Sequence, residues 1–169
     1  REFGVYPHWN VLWGFPGESP GEYERLAELA PKLAHLVPPT AADGIRLDRF
    51  SPNFFDADRL GFTDVAPLPA YGHVYRLPPE AVSNLAYYFS FRYADGRDPA
   101  AYIGGAVREV DKWKRAHTKS DLFVTHDGAH AIIWDLRPIA TEPVIVLHDV
   151  ARRLYAACDG IATARRLSE

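Results

Sequence analysis

The 169-residue sequence has no methionine and a single cysteine, Cys158. One unpaired cysteine excludes an internal disulfide, and disulfides are the usual support of small secreted domains. No apolar run approaches the roughly 18 residues that a membrane-spanning helix requires, and no signal-peptide pattern is visible. We therefore expect a cytoplasmic protein with no membrane partner.

Concentrated charge is also missing. The chain has 19 Lys and Arg against 22 Asp and Glu, which gives a formal net charge of −3, and the arginines are spread along it. Because nucleic-acid-binding domains usually present a basic stripe, nucleic acid is not expected as a partner. A start at Arg1 without any Met predicts a piece of a longer protein, and an apolar fraction of 47% suffices for a packed core.

The most informative segment present is a strand, a loop and a helix start over residues 9–22. Residues 9–13 are almost all apolar, residues 14–17 read Gly-Phe-Pro-Gly, Glu18 follows, and Ser19 is placed to cap a helix. An apolar strand without polar alternation suits a parallel sheet covered on both faces, and the glycines allow a ligand close to the main chain. A phosphate-binding loop is excluded because no Lys-Ser or Lys-Thr follows the glycines.

The pattern that follows predicts a β-α-β unit over residues 9–50. Its second strand is expected at residues 45–50, parallel to the first because a helix connects them, and Pro31 should kink or split that helix. The other predicted elements are an ordered, proline-rich loop over 52–79, helices over 80–91 and 98–117, a hairpin of strands 122–125 and 131–134, and helices over 147–158 and from Thr163.

Several strings, in the order in which they occur, resemble one enzyme superfamily. GFPGES at residues 14–19 resembles the fifth-strand segment of radical S-adenosylmethionine enzymes. HLVPP at 35–39, IRLDRFSPNF at 45–54, AY at 70–71 with VY at 74–75, and NLAYYF at 84–89 follow with short gaps. Together they resemble the C-terminal part of the cobalamin-dependent radical S-adenosylmethionine C-methyltransferases that mature ribosomally made peptides.

This resemblance implies an α/β fold in three parts. Residues 1–55 would be the end of a partial radical S-adenosylmethionine TIM barrel, residues 56–118 a barrel-closing loop with a helical extension, and residues 119–169 a truncated, winged-helix-like module of a hairpin and helices. The parent enzyme would C-methylate a ribosomal precursor peptide with S-adenosylmethionine, a [4Fe-4S] cluster and cobalamin. The family's CxxxCxxC motif is absent, and one cysteine cannot supply the three or four thiolates of a cluster, so this chain alone is expected to be inactive.

The resemblance also implies candidate site residues, although no catalytic acid or base can be named. The candidates for cofactor contact are Gly14, Phe15, Pro16, Gly17, Glu18, Arg49 and Ser51, and those for the substrate peptide are Arg46, Asp48, Tyr71 and Tyr75. Arg46 and Asp48 should share one strand face while Arg49 points to the other, and Tyr71, His73 and Tyr75 should share one side of an extended segment.

Each of these assignments has a structural alternative. Glu18 could hold backbone amides at the helix start instead of a ligand, Arg46, Asp48 and Arg49 could brace the barrel edge, and the tyrosine rings could pack on the barrel. No metal ligand is expected, because His126 and His130 straddle a predicted turn without a further ligand nearby.

Two other functions stay open. The parent could be a cobalamin-type radical S-adenosylmethionine enzyme that acts on another class of substrate. Alternatively, the terminal module could be a non-catalytic unit that binds peptide or DNA, with Arg152–Arg153 and Arg165–Arg166 available for phosphate contacts.

Overall fold

The computed structural model describes residues 3–161 and 163–165, and this part of the chain is a mixed α/β structure with six α-helices and three small sheets. The helices are α1 (Pro20–Leu29), α2 (Pro52–Phe55), α3 (Ala70–Val74), α4 (Pro79–Leu85), α5 (Ala100–Ala116) and α6 (Asp149–Ala157). The strands are β1 (Asn10–Trp13), β2 (Ala41–Gly44), β3 (Leu47–Asp48), β4 (Phe62–Pro67), β5 (Tyr88–Tyr93), β6 (Leu122–His126), β7 (Ala131–Asp135) and β8 (Val144–Leu147). None of the three sheets closes into a barrel within these ranges.

The chain divides into two compact units. The first contains His8–Arg25 and Thr40–Val107, and therefore strands β1 to β5. The second contains Leu26–Pro39 and the residues from Arg108 onward, together with those up to Pro7. The domain limits expected from the sequence, after residues 55 and 118, stay predictions.

The predicted parallel β-α-β unit is confirmed, but its second strand lies earlier than expected. β1 and β2 pair in parallel from Asn10 opposite Ala41 to Trp13 opposite Gly44. The strand predicted at residues 45–50 is wrong, because only Leu47–Asp48 is extended there and this short strand pairs antiparallel with β5. Arg49 and Phe50 form a turn after this short strand, and Phe50 has φ 69°, which lies outside the range of regular extended backbone. β2 reads Ala-Ala-Asp-Gly, which has little intrinsic strand preference, so its pairing and not its residues makes it a strand.

The crossover helix is split at Pro31, as predicted. α1 starts at Pro20 and stops at Leu29, and Ala30–Leu33 continues as a 3₁₀ turn around Pro31. Proline removes an amide donor and its ring collides with the preceding turn, which is why the α-helical hydrogen bonds stop here.

Residues 52–91 differ most from the sequence-based expectation. The predicted irregular loop contains α2, β4 and α3, and the predicted helix over 80–91 is replaced after α4 by strand β5. β5 reads Tyr-Phe-Ser-Phe-Arg-Tyr and lies in the middle of the antiparallel sheet β3-β5-β4. Phe89, Phe91 and Tyr93 recur at every second position, which is the strand period, and their burial outweighs the helical spacing of the preceding residues.

The core of the first unit is aromatic. Leu47, Phe62 and Ala86 are fully buried and Phe89 nearly so, and Phe54 and Tyr71 pack against them. Of the aromatic residues in the 52–79 segment, Phe62 is fully buried, whereas Phe55 is 70% exposed.

The second unit contains the C-terminal half of α5, from Arg108 to Ala116, and the sheet β6-β7-β8. α5 follows Asp98, whose Oδ1 accepts a hydrogen bond from the Ala100 amide at 3.0 Å, so Asp98 caps the helix within the predicted range of 98–117. The predicted hairpin is confirmed, since β6 and β7 pair antiparallel around Asp127-Gly128.

Strand β8 is not predicted from the sequence. It pairs antiparallel with β7, and the expected helix over 147–158 begins two residues later, as α6 at Asp149. Four consecutive apolar residues are too few to indicate a period, so neighbouring strands decide their state. The helix expected from Thr163 falls mainly on residues outside the described ranges.

Candidate functional site

A cleft of about 660 Å³ lies along one face of the parallel pair and at its carboxyl end, within the first unit. Leu12 lies opposite Asp43, and Asn10 is two positions before Leu12, so these three side chains belong to the same face. The remaining lining residues are Phe15, Gly44, Ile45, Arg46, Asp48 and Asn53. Ligands of parallel α/β sheets bind where the carboxyl ends of the strands meet, which makes this cleft the candidate site.

The cleft combines polar side chains with one aromatic ring. Arg46 and Asp48 form an ion pair of 3.2 Å, and the Arg46 guanidinium lies 5.0 Å from the centre of the Tyr88 ring. Phe15 also lines the cleft and is 42% exposed. Amide, carboxylate and guanidinium groups beside an exposed ring suit a polar ligand with a planar part.

Glu18 is not among the lining residues and binds the start of the loop of residues 14–17. Its Oε2 accepts hydrogen bonds from the Gly14 amide at 2.7 Å, the Phe15 amide at 2.8 Å and the Tyr23 hydroxyl at 2.7 Å. Its Oε1 accepts a hydrogen bond from the Tyr102 hydroxyl. The Glu18 carboxylate therefore accepts hydrogen bonds from four donors and supports the loop. The two amides that it binds, of Gly14 and Phe15, precede α1, so Glu18 does not cap the first turn of the helix.

The electrostatics of this cluster follow from its hydrogen bonds. Burial by itself would raise the pKa of Glu18, but the bonds from Tyr102, Tyr23 and the two amides together hold the pKa below its ordinary value of 4.5. Burial and the bond to Glu18 raise the pKa of Tyr102 to about 12. The carboxylate therefore stays charged and the phenol stays a donor near neutral pH.

Sequence reasoning missed the aromatic partners of this loop. Tyr23 lies in the first turn of α1, five residues after Glu18, so the sequence could have indicated it as a partner of Glu18. Tyr102 is 84 residues away from Glu18, and Tyr93, which donates to the Gly14 carbonyl, is 79 residues away from Gly14. No local pattern links residues at such separations.

Arg49 and Ser51, two of the candidates for cofactor contact, stabilise local structure. Arg49 Nε donates to the Ala86 carbonyl at 2.6 Å and its Nη2 donates to the Ser83 carbonyl, so the guanidinium binds the carboxyl end of α4. Ser51 Oγ accepts a hydrogen bond from the Phe54 amide at 3.2 Å and caps α2. Neither residue lines the cleft, whereas Arg46 and Asp48 do.

Replacing Arg49 by alanine should therefore lower the free energy of unfolding by about 2 kcal/mol, because two helix-end carbonyls lose a charged donor. The matched change Arg46→Ala should cost less than about 0.5 kcal/mol, because Arg46 is 70% exposed and its ion pair lies at the surface. Urea unfolding followed by circular dichroism measures both values. Equal effects of the two changes would contradict the bracing role of Arg49.

Tyr71 and Tyr75 do not lie on one side of an extended segment, and this expectation is wrong because residues 70–74 form the helix α3. Tyr71 Oη accepts hydrogen bonds from the amides of Tyr87 at 3.0 Å and Tyr88 at 3.2 Å. The Tyr75 ring stacks on Tyr71 with ring centres 6.3 Å apart. Tyr71 packs against the core beside β5, and neither tyrosine is among the residues that line the cleft.

Neither a metal centre nor a membrane-spanning helix is found among the described residues. No three side chains of His, Cys, Asp or Glu converge there in a way that could hold a metal ion. Each helix within residues 3–161 and 163–165 is too short or too polar to cross a bilayer. Comparison with models of known protein families, with curated proteins and with solved structures gives no match for this chain.

Proposed function

We propose that this chain is the C-terminal part of a cobalamin-dependent radical S-adenosylmethionine C-methyltransferase that acts on a ribosomal precursor peptide. The observation that carries the proposal is the parallel β1-α1-β2 unit, whose loop of residues 14–17 leads from the strand end to the wall of the cleft. In this proposal β1 and β2 are neighbouring strands of a partial barrel, and the sheet β6-β7-β8 with α6 is the winged-helix-like module.

The residues of the cleft fit an adenosyl group. The exposed Phe15 ring offers a face for a planar heterocycle, and Asn10 and Asp43 offer an amide and a carboxylate for hydroxyl groups. Bound S-adenosylmethionine would supply the radical precursor of the reaction. The chain's own contribution is to hold the nucleoside against the strand ends and to exclude water from it.

Neither of the other two cofactors is assigned to residues of this chain. One cysteine cannot hold a [4Fe-4S] cluster, so its ligands would belong to another part of the parent protein. Cobalamin would be bound by a separate N-terminal domain, as the family resemblance implies. The exposed ion pair of Arg46 and Asp48, at the edge of the cleft, offers both a donor and an acceptor for a peptide backbone.

The test uses the longest natural protein that contains this chain, reconstituted under anaerobic conditions with iron and sulfide, cobalamin and a chemical reductant. Incubation with S-adenosylmethionine should release 5′-deoxyadenosine, and addition of the precursor peptide should give methylated peptide, both measured by mass spectrometry. Phe15→Ala should raise the KM for S-adenosylmethionine about tenfold, because the ring covers one face of the heterocycle. Phe55→Ala, which removes an exposed ring outside the cleft, is the matched control.

Two results would overturn the proposal. One is a parent protein whose sequence lacks a CxxxCxxC motif. The other is a reconstituted protein that carries a cluster but forms no 5′-deoxyadenosine. Equal KM values for Phe15→Ala and the wild type would remove the cleft from the proposal while leaving the enzyme class.

A further inference from the structure

Gly14 and Phe15 directly follow β1, and side chains form hydrogen bonds with the backbone N–H and C=O groups of both residues. Glu18 Oε2 accepts from both amides, of Gly14 and of Phe15. The Gly14 carbonyl accepts from Tyr93 Oη at 2.7 Å, and the Phe15 carbonyl accepts from Arg97 Nη1 at 3.3 Å. A loop in which side chains bind two consecutive amides and both carbonyls is far more constrained than an ordinary strand-to-helix turn.

Tyr93 and Arg97, which donate to the two carbonyls, are themselves held in place by neighbouring side chains. Tyr93 ends strand β5, and its ring packs edge-on against Phe91 at 5.4 Å between centres. The Arg97 guanidinium lies 5.4 Å from the centre of the Tyr93 ring and pairs with Asp95 at 2.5 Å. Burial and the nearby Glu18 charge raise the pKa of Tyr93, which keeps its hydroxyl protonated as a donor.

This support offsets an intrinsic freedom of the loop. Gly14 and Gly17 have φ of 92° and 77°, values that glycine reaches readily and other residues rarely do, so the segment alone would sample many conformations. Freezing such a loop during binding would cost affinity, whereas a loop that is already fixed binds without that cost. Phe15, which lines the cleft, is the side chain whose position depends on this loop.

We infer that Tyr93 and Arg97 are positioning residues for ligand binding, which hold the Gly14 and Phe15 carbonyls so that the Phe15 ring keeps its place on the cleft wall. The inference rests on the proposed function for the identity of the ligand, an adenosyl compound. Neither residue touches the cleft itself, since both act through the backbone of the loop.

The test compares Tyr93→Phe and Arg97→Ala with the wild type in the longest natural protein that contains this chain. Each change should raise the KM for S-adenosylmethionine about fivefold, the effect of one lost hydrogen bond, and leave kcat within about twofold. Arg97→Lys, which keeps a donor, should recover part of the loss. Tyr87→Phe and Arg92→Lys alter exposed residues of the same region and should leave KM unchanged.

A double-mutant cycle separates positioning from a general effect on stability. If Tyr93 acts through Phe15, Tyr93→Phe should add little to the KM of a protein that already carries Phe15→Ala. Hydrogen exchange measured without ligand should be faster over residues 14–18 in Tyr93→Phe than in the wild type. If the Tyr93 hydroxyl contributed only to core stability, the effects of the two changes on KM would be independent, and exchange would not become selectively faster over residues 14–18.

The outcomes distinguish this inference from the proposed function. If the wild type binds S-adenosylmethionine while Tyr93→Phe and Arg97→Ala bind it equally well, or if the two changes at residues 15 and 93 are additive, the inference falls and the proposed function stands. If the wild type does not bind S-adenosylmethionine, both are overturned.

Discussion

Replacing Gly14 by alanine is expected to lower the free energy of unfolding by about 3 kcal/mol or more. The residue has φ 92°, where an alanine side chain is strained by roughly 1–3 kcal/mol. The new Cβ would also lie well under 3.0 Å from Tyr93 Oη, so the hydroxyl would have to leave the Gly14 carbonyl. The lost hydrogen bond adds about 1 kcal/mol to the strain. Chemical denaturation of the wild type and the variant measures the difference.

Three other variants separate the two causes. Gly17→Ala carries only the strain of φ 77°, since no described atom lies within 4 Å of its Cβ, and should cost about 1–2 kcal/mol. Gly72→Ala, inside α3 and equally unobstructed, should be neutral or slightly stabilising. Adding Tyr93→Phe to Gly14→Ala should recover part of the loss. A Gly14→Ala variant no less stable than Gly17→Ala would show that the tyrosine does not crowd this position.

Replacing Glu18 by alanine is expected to have a similar effect, a loss of about 3 kcal/mol. The amides of Gly14 and Phe15 and the hydroxyls of Tyr23 and Tyr102 all lose their acceptor, and Gly14 is buried, so water cannot replace the carboxylate at its amide. Glu18→Gln should cost only about 1 kcal/mol, because its carbonyl oxygen can accept from the amides and the Tyr102 hydroxyl can rotate to accept from its NH₂ group. Thermal and urea unfolding measure these losses.

The exposed Glu22 provides the control for this prediction. Its side chain is 66% exposed and lies 3.7 Å from Arg25, so Glu22→Ala should change stability by less than about 0.5 kcal/mol. A Glu18→Ala variant as stable as Glu22→Ala would mean that the loop holds its shape without the carboxylate.

The charge of Glu18 also predicts a dependence of stability on pH. Its folded pKa lies below the ordinary value of 4.5, so the unfolded state takes up a proton first as the pH falls. The stabilisation is therefore complete above about pH 4.5 and is lost as the pH decreases through the lowered folded pKa. The stability difference between the wild type and Glu18→Gln should shrink between pH 7 and pH 3. A constant difference over this range would contradict the lowered pKa.

What can be read from the sequence here is local. Pro20, Pro31 and Asp98 set helix limits because a ring or a cap acts within one turn of its own backbone. The Asp127-Gly128 pair places the hairpin for the same reason. Even the parallel direction of β1 and β2 is local in origin, since a helix between two strands returns the chain to the same end of the sheet.

The sequence by itself thus determined the helix starts, the hairpin, the direction of the parallel pair and the presence of Glu18 behind a glycine loop. Only the tertiary structure decided that residues 41–44 form β2, that residues 88–93 form a central strand, and that Tyr93, Arg97 and Tyr102 hold the loop. These outcomes depend on partners distant along the chain, whose burial and hydrogen bonds outweigh local preference and leave no pattern in neighbouring residues.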